Sequence, residues 1–458
     1  MKLNYRRTIL IGLAFLSISA FWQTYDNIIP LMLQNTFGLK ETVTGSLMAM
    51  DNVLALFLLP LLGSISDRVD TKLGRRMPFI AAGTVLAVSF YILIALADRA
   101  ASLPLFLIVL FGALISMGLY RSPAVALMPD LTPNVLRSKA NAVINLMGTV
   151  GAVYALVMIR LLSGRTLSST GRTDYLPLFG SVALLMVVAV AVLLLTIREH
   201  RVKQQVNEEI RLYRQAHPED TEVQTIEDAG SAKGTAASPQ KAGKDRAGTR
   251  PAAAMPADVK RSMIFLLLSI FLWFTAYNAV TTAFSRYAEN VWQMRNGGYA
   301  SCLLVATLAA VASYIPIGHI SSRIGRKRTI LIGIVLMLLC YMTAAFVTEY
   351  AFWLNFLFGL IGIGWAAINV NSYPMVVEMS RGADIGKFTG TYYTFSMAAQ
   401  IFTPVFSGFL LEHVSYRTLF PYALLFSAAA LLTMTQVRHG DIRPAKKSSA
   451  LESFDVDD

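Results

Sequence analysis

Twelve apolar runs constrain this chain more than any other feature. They fall at about 8–34, 42–66, 79–97, 104–128, 139–161, 176–197, 262–285, 297–319, 328–348, 351–377, 387–411 and 417–436. A helix crosses the hydrocarbon of a bilayer with about 20 mostly apolar residues. Inside lipid every backbone N–H and C=O must be satisfied within the protein, which favours helices for runs of this length. The predicted fold class is therefore an all-α membrane protein of twelve transmembrane helices. Composition agrees: 55% of residues are hydrophobic and 15% charged, against about 25% charged in soluble domains. The first run continues into polar residues without an A-x-A-type cleavage site, so no cleavable signal peptide is expected. Cys302 and Cys340 both lie in apolar runs, which argues against a disulfide framework. The net charge of +12 is assigned to loops facing anionic lipid and cytoplasm, not to nucleic acid.

The sixth and seventh runs are separated by a polar stretch, 198–260. Its first part, REHRVKQQVNEEIRLYRQ, reads as a surface helix. The following AGSAKGTAASPQKAGKDRAGTRPAAAMPA is rich in small residues and low in complexity, and is expected to be disordered. The domain reading is a six-helix bundle over 1–197, a partly disordered linker over 198–260, a second bundle over 261–437 and a tail over 438–458. Lys2, Arg6, Arg7, Arg68, Lys72, Arg75, Arg76, Arg137, Lys139, Arg323, Arg326, Lys327 and Arg328 share one set of loops. The opposite loops are poorer, although Arg160, Arg165 and Arg172 soften the contrast. The positive-inside rule then predicts a multi-pass plasma (cytoplasmic) membrane protein with both termini in the cytoplasm.

The two halves repeat. GSISDRVDTKLGRRMPF between runs two and three corresponds to GHISSRIGRKR between runs eight and nine. Phe21 and Tyr25-Asp26 in the first run correspond to Trp273 and Tyr277-Asn278 in the seventh. Runs four and ten both end in proline-containing stretches, YRSPAVALMPD and NSYPMVVE. Two similar six-helix halves imply a pseudo-twofold axis, with solute and coupling sites near the midplane between them.

GSISDRVDTKLGRRMPF resembles the signature loop of the major facilitator superfamily, G-x-x-x-D-R-x-G-R-R, with four residues inserted after Arg68. The longer form ending in R-R-x-P-F, together with SPAVALMPDLTPNVLRSKANAVINLMG, is similar to the sucrose–proton symporters. It is similar as well to the glycoside–pentoside–hexuronide cation symporters. The sharp part of the likeness covers about residues 60–150. It implies two pseudo-symmetric six-helix bundles and secondary active transport. It also implies that Asp67, Arg68, Gly74, Arg75 and Arg76 form a gating loop that latches the halves. Two departures stand out. The sucrose symporters carry an arginine two positions after the motif proline, where this chain has Val125; Arg121 lies one turn earlier on the same face. The sodium-coupled relatives pair two acids one turn apart in helix two, whereas Asp51 is followed at that spacing by Ala55.

Polar residues inside the apolar runs carry the functional expectation. FWQTYDNIIP places Asp26 within the first run, and SLMAMDNVLALFLLP places Asp51 within the second. A carboxylate at mid-helix costs about 2.5–3.5 kcal/mol to insert, so such acids are functional candidates by default. Asp26, Asp51 and Asp98 are the proton-coupling candidates, Asp98 near the outer mouth. The rival reading is a carboxylate that only locks helix packing. Arg121, the basic residue inside the fourth run, needs an anion or a hydrated cavity; its fork suits a carboxylate or sugar hydroxyls. Trp22, Tyr25, Asn27, Asn278, Asn369, Asn371 and Gln400 complete the solute-site candidates. The aromatic rings of Tyr277, Trp365, Tyr373, Tyr392 and Tyr393 are a further group suited to stacking on sugar rings. Interfacial anchoring and interhelical hydrogen bonding are the alternatives for these residues.

No phosphate-cradling G-x-x-x-x-G-K-S/T is present, so ATP is not expected to drive the protein. The histidines lack metal-ligand spacing. No cofactor, metal, enzymatic activity or nucleic-acid partner is expected, and a monomer is. The expected function is proton-coupled uptake of a small hydrophilic solute, a sugar or glycoside, with sodium the less favoured ion. An organic-solute or drug exporter and a non-transporting sensor are the alternatives. Deleting 228–254 is predicted to leave expression and transport within about threefold of the full chain, because low-complexity polar segments bury no surface. Loss of transport with normal membrane insertion, measured in whole cells, would give this segment a structural or regulatory role.

Overall fold

In the computed structural model the described residues are 1, 3–167, 171–216, 256–379 and 385–441. Among them the chain forms thirteen α-helices: α1 Tyr5–Asn35, α2 Glu41–Arg68, α3 Met77–Arg99, α4 Leu103–Asp130, α5 Arg137–Leu162, α6 Leu176–Thr196, α7 Glu199–Ala216, α8 Ala257–Asn290, α9 Ala300–Ile324, α10 Arg326–Phe346, α11 Leu354–Met379, α12 Ile385–His413 and α13 Leu419–Thr435. All but α7 are long and apolar enough to cross a membrane. The protein is an integral multi-pass membrane protein of the all-α class. The low-complexity part of the predicted linker and the end of the predicted tail, 217–255 and 442–458, lie outside the described residues.

The pseudo-twofold relation appears in which helices touch. In the first half α1 packs on α5 and α6, α2 on α4, and α3 on α4 and α6. In the second half α8 packs on α12 and α13, α9 on α11, and α10 on α11 and α13. These are the same pairings displaced by one half. The halves meet along α1–α8 and along two equivalent seams, α2–α12 and α5–α9. Prolines 30, 60, 123, 129, 316, 374 and 404 sit inside spanning helices, where neighbouring helices can satisfy the freed carbonyls.

The two ends of the bundle differ. One, here called the basic face, carries the start of α1, the 69–76 loop, the α9–α10 turn and α7. The other, the far face, carries the start of α2 and the ends of α1, α8 and α12. On the basic face α7 turns Val202, Val206 and Ile210 inward as one apolar stripe, at the spacing of an amphipathic helix. Its first residue, Glu199, caps α3. Its carboxylate accepts hydrogen bonds from the backbone N–H of Arg75 at 3.0 Å, Arg76 at 2.9 Å and Met77 at 3.3 Å. A carboxylate at a helix N-terminus satisfies orphan donors and complements the dipole. The second half repeats the device: Asp441 Oδ1 accepts from Lys327 N at 2.8 Å, in the first turn of α10.

On the far face Arg99 donates to Asp174 at 2.9 and 2.6 Å. The Arg99 guanidinium holds the Asp174 carboxyl below the usual carboxylate range. With a depressed folded-state pKa, this pair contributes stability above the ordinary Asp range and loses it as pH falls through the lowered value. Glu199→Ala is expected to destabilise the purified protein by about 1 kcal/mol, the usual worth of an N-cap, with Glu199→Gln recovering part. Thermal unfolding in detergent measures this; an unchanged midpoint in Glu199→Ala would show that water caps α3 equally well.

Candidate functional site

Three ionisable groups converge inside the first half. Asp26 comes from α1, Asp51 from α2 and Arg121 from α4, and each lies within electrostatic reach of the other two. The helix contacts explain the convergence: α1 touches α2 and α4, and α2 packs on α4. Arg121 lies over the Trp22 ring, 5.9 Å from its centroid. Asp51 Oδ1 accepts from the backbone N–H of Asn52 at 2.5 Å and from its side-chain amide at 2.7 Å. Trp22, Asp51 and Arg121 line one cleft whose remaining walls are Leu54, Ala55, Leu58, Leu59, Leu114 and Gly118. A cation, one carboxylate and an indole meet in a largely aliphatic cleft, with the second carboxylate, Asp26, within electrostatic reach.

The neighbouring polar groups of α1 are buried and short of partners. Asn27 donates to Gln23 O at 2.8 Å, but its Oδ1, the Tyr25 hydroxyl and Trp22 Nε1 have no hydrogen-bond partner among the described residues. In α8, the equivalent helix of the second half, Asn278 Nδ2 is likewise unpartnered. Buried polar atoms are normally satisfied, so these four are apt to meet water or a solute. Tyr277 stacks on Trp365 with ring centroids 3.8 Å apart and 4° between planes, and Phe274 meets Trp365 edge-on.

Other sequence candidates are placed differently. Asn371 accepts from the Ser321 hydroxyl and donates to Ala367 O, tying α11 to α9. Tyr373 bonds Thr389 at 3.0 Å and meets Tyr392 edge-on, linking α11 and α12 toward the basic face. Asn369 is buried in α11, and Gln400 is half-buried in α12. Asp98 is buried at the far end of α3, with one carboxylate oxygen unpartnered among the described residues. The structure does not bring Asp98 to the Asp26–Asp51–Arg121 cluster.

The gating loop divides into two sets. Arg76 is buried and forks between Asp67 and Asp130, with the Asp130 bond at 2.8 Å, and it also bonds Ser66. Gly74 turns the loop at φ +112°, a conformation only glycine adopts freely, and Glu199 fills the space a Cβ would need. Arg68 and Arg75 are exposed. Asp130 and Glu199 are absent from the sequence candidates; Asp130 stood in the motif MPDLT, whereas Glu199 followed the sixth run as one charge among many. On the second half Arg326 pairs with Glu378, so the end of α11 answers the start of α10 as the end of α4 answers the start of α3.

The profile described as Major Facilitator Superfamily matches residues 11–313 and 296–454 of this chain. The structure is similar to the xylose transporter XylE from E. coli in an inward open conformation, with a TM-score of 0.66, 15% identity, and 98% of each chain covered. It is similar to the nucleoside transporter NupG, with a TM-score of 0.65, 14% identity, and 94% of this chain and 99% of that one covered. It also resembles a POT peptide transporter, with a TM-score of 0.64, 13% identity, and 94% and 93% covered. A curated relative, the chloramphenicol resistance protein CraA of Acinetobacter baumannii, is 29% identical over 101 residues; the match spans 22% of this chain and 24% of that protein. Asp67→Asn is predicted to slow solute turnover severalfold with solute affinity unchanged, because the Arg76 network lies at one end of α2, α3 and α4, away from Asp26 and Asp51. A large fall in equilibrium affinity with normal turnover would place Asp67 in the solute site instead.

Proposed function

Because the chain belongs to the Major Facilitator Superfamily and is a transporter rather than an enzyme, we propose that it couples proton movement to uptake of a sugar or glycoside. The observation that carries this reading is the convergence of Asp26, Asp51 and Arg121. Both carboxylates lie within electrostatic reach of one guanidinium, and Asp51 and Arg121 line one cleft with Trp22. Loss or gain of a proton on either acid changes how strongly Arg121 is held. A bidentate guanidinium freed in this way binds solute oxygens. Proton and solute then compete for, or cooperate through, one cation. The unpartnered amide and hydroxyl groups of Tyr25, Asn27 and Asn278 offer donors and acceptors to a hydroxylated solute. The stacked Tyr277–Trp365 pair offers an aromatic face. Asn369, Asn371 and Gln400 supply the second-half amide shell, Asn371 by positioning α11. Arg68 and Arg75, exposed at the Arg76 network, set its electrostatics.

In this reading the basic face is cytoplasmic and both termini lie there, as the Lys and Arg distribution requires. The protein works as a monomer in the plasma membrane and rocks its two halves about the central cluster. The local similarity to a chloramphenicol resistance protein and the aliphatic walls of the cleft favour a second reading, export of an organic solute. A solute panel read by thermal stabilisation separates the two, since a ligand at one hundred times its Kd adds about 2.7 kcal/mol. Stabilisation by amphipathic drugs and by no sugar selects the export reading.

Asp26→Asn preserves shape and most hydrogen bonding but cannot titrate. In proteoliposomes this variant should lose uphill solute accumulation driven by a pH gradient, yet keep exchange of labelled solute at equal concentrations, which needs no net proton transfer. Asp51→Asn is the companion variant, and the acid whose replacement uncouples the two assays carries the proton. Wild-type accumulation ratios in both variants would remove the cluster from coupling.

A further inference from the structure

The cleft beside Arg121 has one polar corner and an otherwise aliphatic wall. Arg121, Asp51 and Trp22 make the corner, and Leu54, Leu58 and Leu59 of α2 face Leu114 of α4 along the wall. The Ser122 hydroxyl donates to Leu59 O at 3.0 Å and holds α4 to α2 beside Arg121. The guanidinium lies over the Trp22 ring, and the indole Nε1 has no hydrogen-bond partner among the described residues. Two kinds of N–H donor therefore share one corner. Gly118 of α4 also lines the cleft, and a Cβ there would lie 3.5 Å from Leu58. A larger side chain at 118 would therefore project among the leucines. Tyr25, Asn27, Asn278 and the Tyr277–Trp365 pair, which suit a hydroxylated ring, are not in this lining. A sugar placed here would leave most of its hydroxyls against leucine, and buried hydroxyls without partners are costly.

We propose that this cleft takes an amphipathic organic monocarboxylate, its carboxylate on Arg121 and Trp22 and its apolar body along the α2–α4 leucines. The inference rests on the reading that the Arg121 cluster is the solute and coupling site, but not on the solute being a sugar. A guanidinium fork matches a carboxylate with two parallel N–H bonds, and the indole N–H is a further donor. Arg121 lies in the field of Asp26 and Asp51, and Tyr25 lies in the field of both acids. An incoming carboxylate takes the place of one aspartate as that aspartate takes up a proton. Anion and proton enter together, and the net charge of the cluster is unchanged. The leucines contribute in proportion to the apolar area they cover. The fork thus sets the requirement for negative charge, and the length of the apolar body sets the affinity.

The test is a thermal-stabilisation titration of the full chain in detergent. The probes are butanoate, hexanoate and octanoate, each beside its methyl ester, with octylammonium as the cationic counterpart. Affinity should rise about fourfold per added methylene, the worth of one buried CH₂. The esters and octylammonium should give no stabilisation. Arg121→Gln should weaken octanoate binding at least about tenfold, the scale of a lost hydrogen bond to a charged group. Gly118→Val should flatten the series, so that octanoate binds it no more tightly than butanoate. If Arg121→Gln misfolds, the acid–ester comparison and Gly118→Val still decide. Equal stabilisation by octanoate and its methyl ester, or a chain-length gain kept in Gly118→Val, would overturn the inference. Stabilisation by a sugar and by no carboxylate would overturn it as well while leaving the sugar reading in place. Stabilisation by octanoate and by no sugar would uphold it and remove the sugar.

Discussion

Arg121 places a guanidinium inside a membrane-spanning helix. An intramembrane cation requires an anion or hydrated space. Here α1 and α2 bring Asp26 and Asp51 into its field, and the Trp22 ring lies beside it. Three helices of the first half, α1, α2 and α4, are therefore linked by charge as well as by packing. The second half repeats the backbone but not the charge: Asn278 stands in α8 where Asp26 stands in α1, beside the Tyr277–Trp365 stack. A symmetric scaffold thus holds an asymmetric site, ionic on one side and amide and aromatic on the other.

The twelve spans were legible because apolar length is a strong signal in lipid. Their ends were less so, for a specific reason. Hydropathy drew the second run to begin at 42 and the seventh to end at 285, one residue inside Glu41 and Arg286. Both helices continue past those limits, to Glu41 and to Asn290. The two charges just outside those limits are partners in a buried ion pair. A pair that spans 245 positions leaves no trace in local pattern. Asp26, Asp51 and Arg121 stood out because each interrupts an oily run. Their mutual proximity depends on α1, α2 and α4 touching, which no single run reveals. Glu199 was invisible for the opposite reason, since a carboxylate in a polar helix is ordinary until its acceptor atoms are seen on the start of α3.

The far face adds contacts between the halves to its internal Arg99–Asp174 pair. On the basic face the bonds described above act within one half: Arg76 with Asp67 and Asp130, Glu199 with the α3 amides, Arg326 with Glu378, and Asp441 with Lys327. They brace each bundle as a rigid body. On the far face Glu41–Arg286, Thr42–Glu412 and Asn35–Glu289 act between halves. Bundles braced internally at one face and joined by breakable bonds at the other are suited to rocking rather than to deforming.

The two equivalent seams are not equal in chemistry. At the far face the α5–α9 seam closes with Gly297, just before α9, set against the backbone of Ile159 in α5; a Cβ there would lie 2.7 Å from its carbonyl oxygen. That contact is close but carries no charge. The α2–α12 seam adds an ion pair and a shared helix cap to a similarly close glycine approach. Hydrating apolar and backbone surface costs free energy roughly in proportion to area, whereas separating a buried ion pair changes sharply over a short distance as water enters. The α2 seam is therefore the more sharply distance-dependent of the two contacts. Because α2 also carries Asp51 ten residues along the same helix, the ionic cluster and the far-face closure share one rigid element, and a change in how Arg121 is held can bias the seam directly.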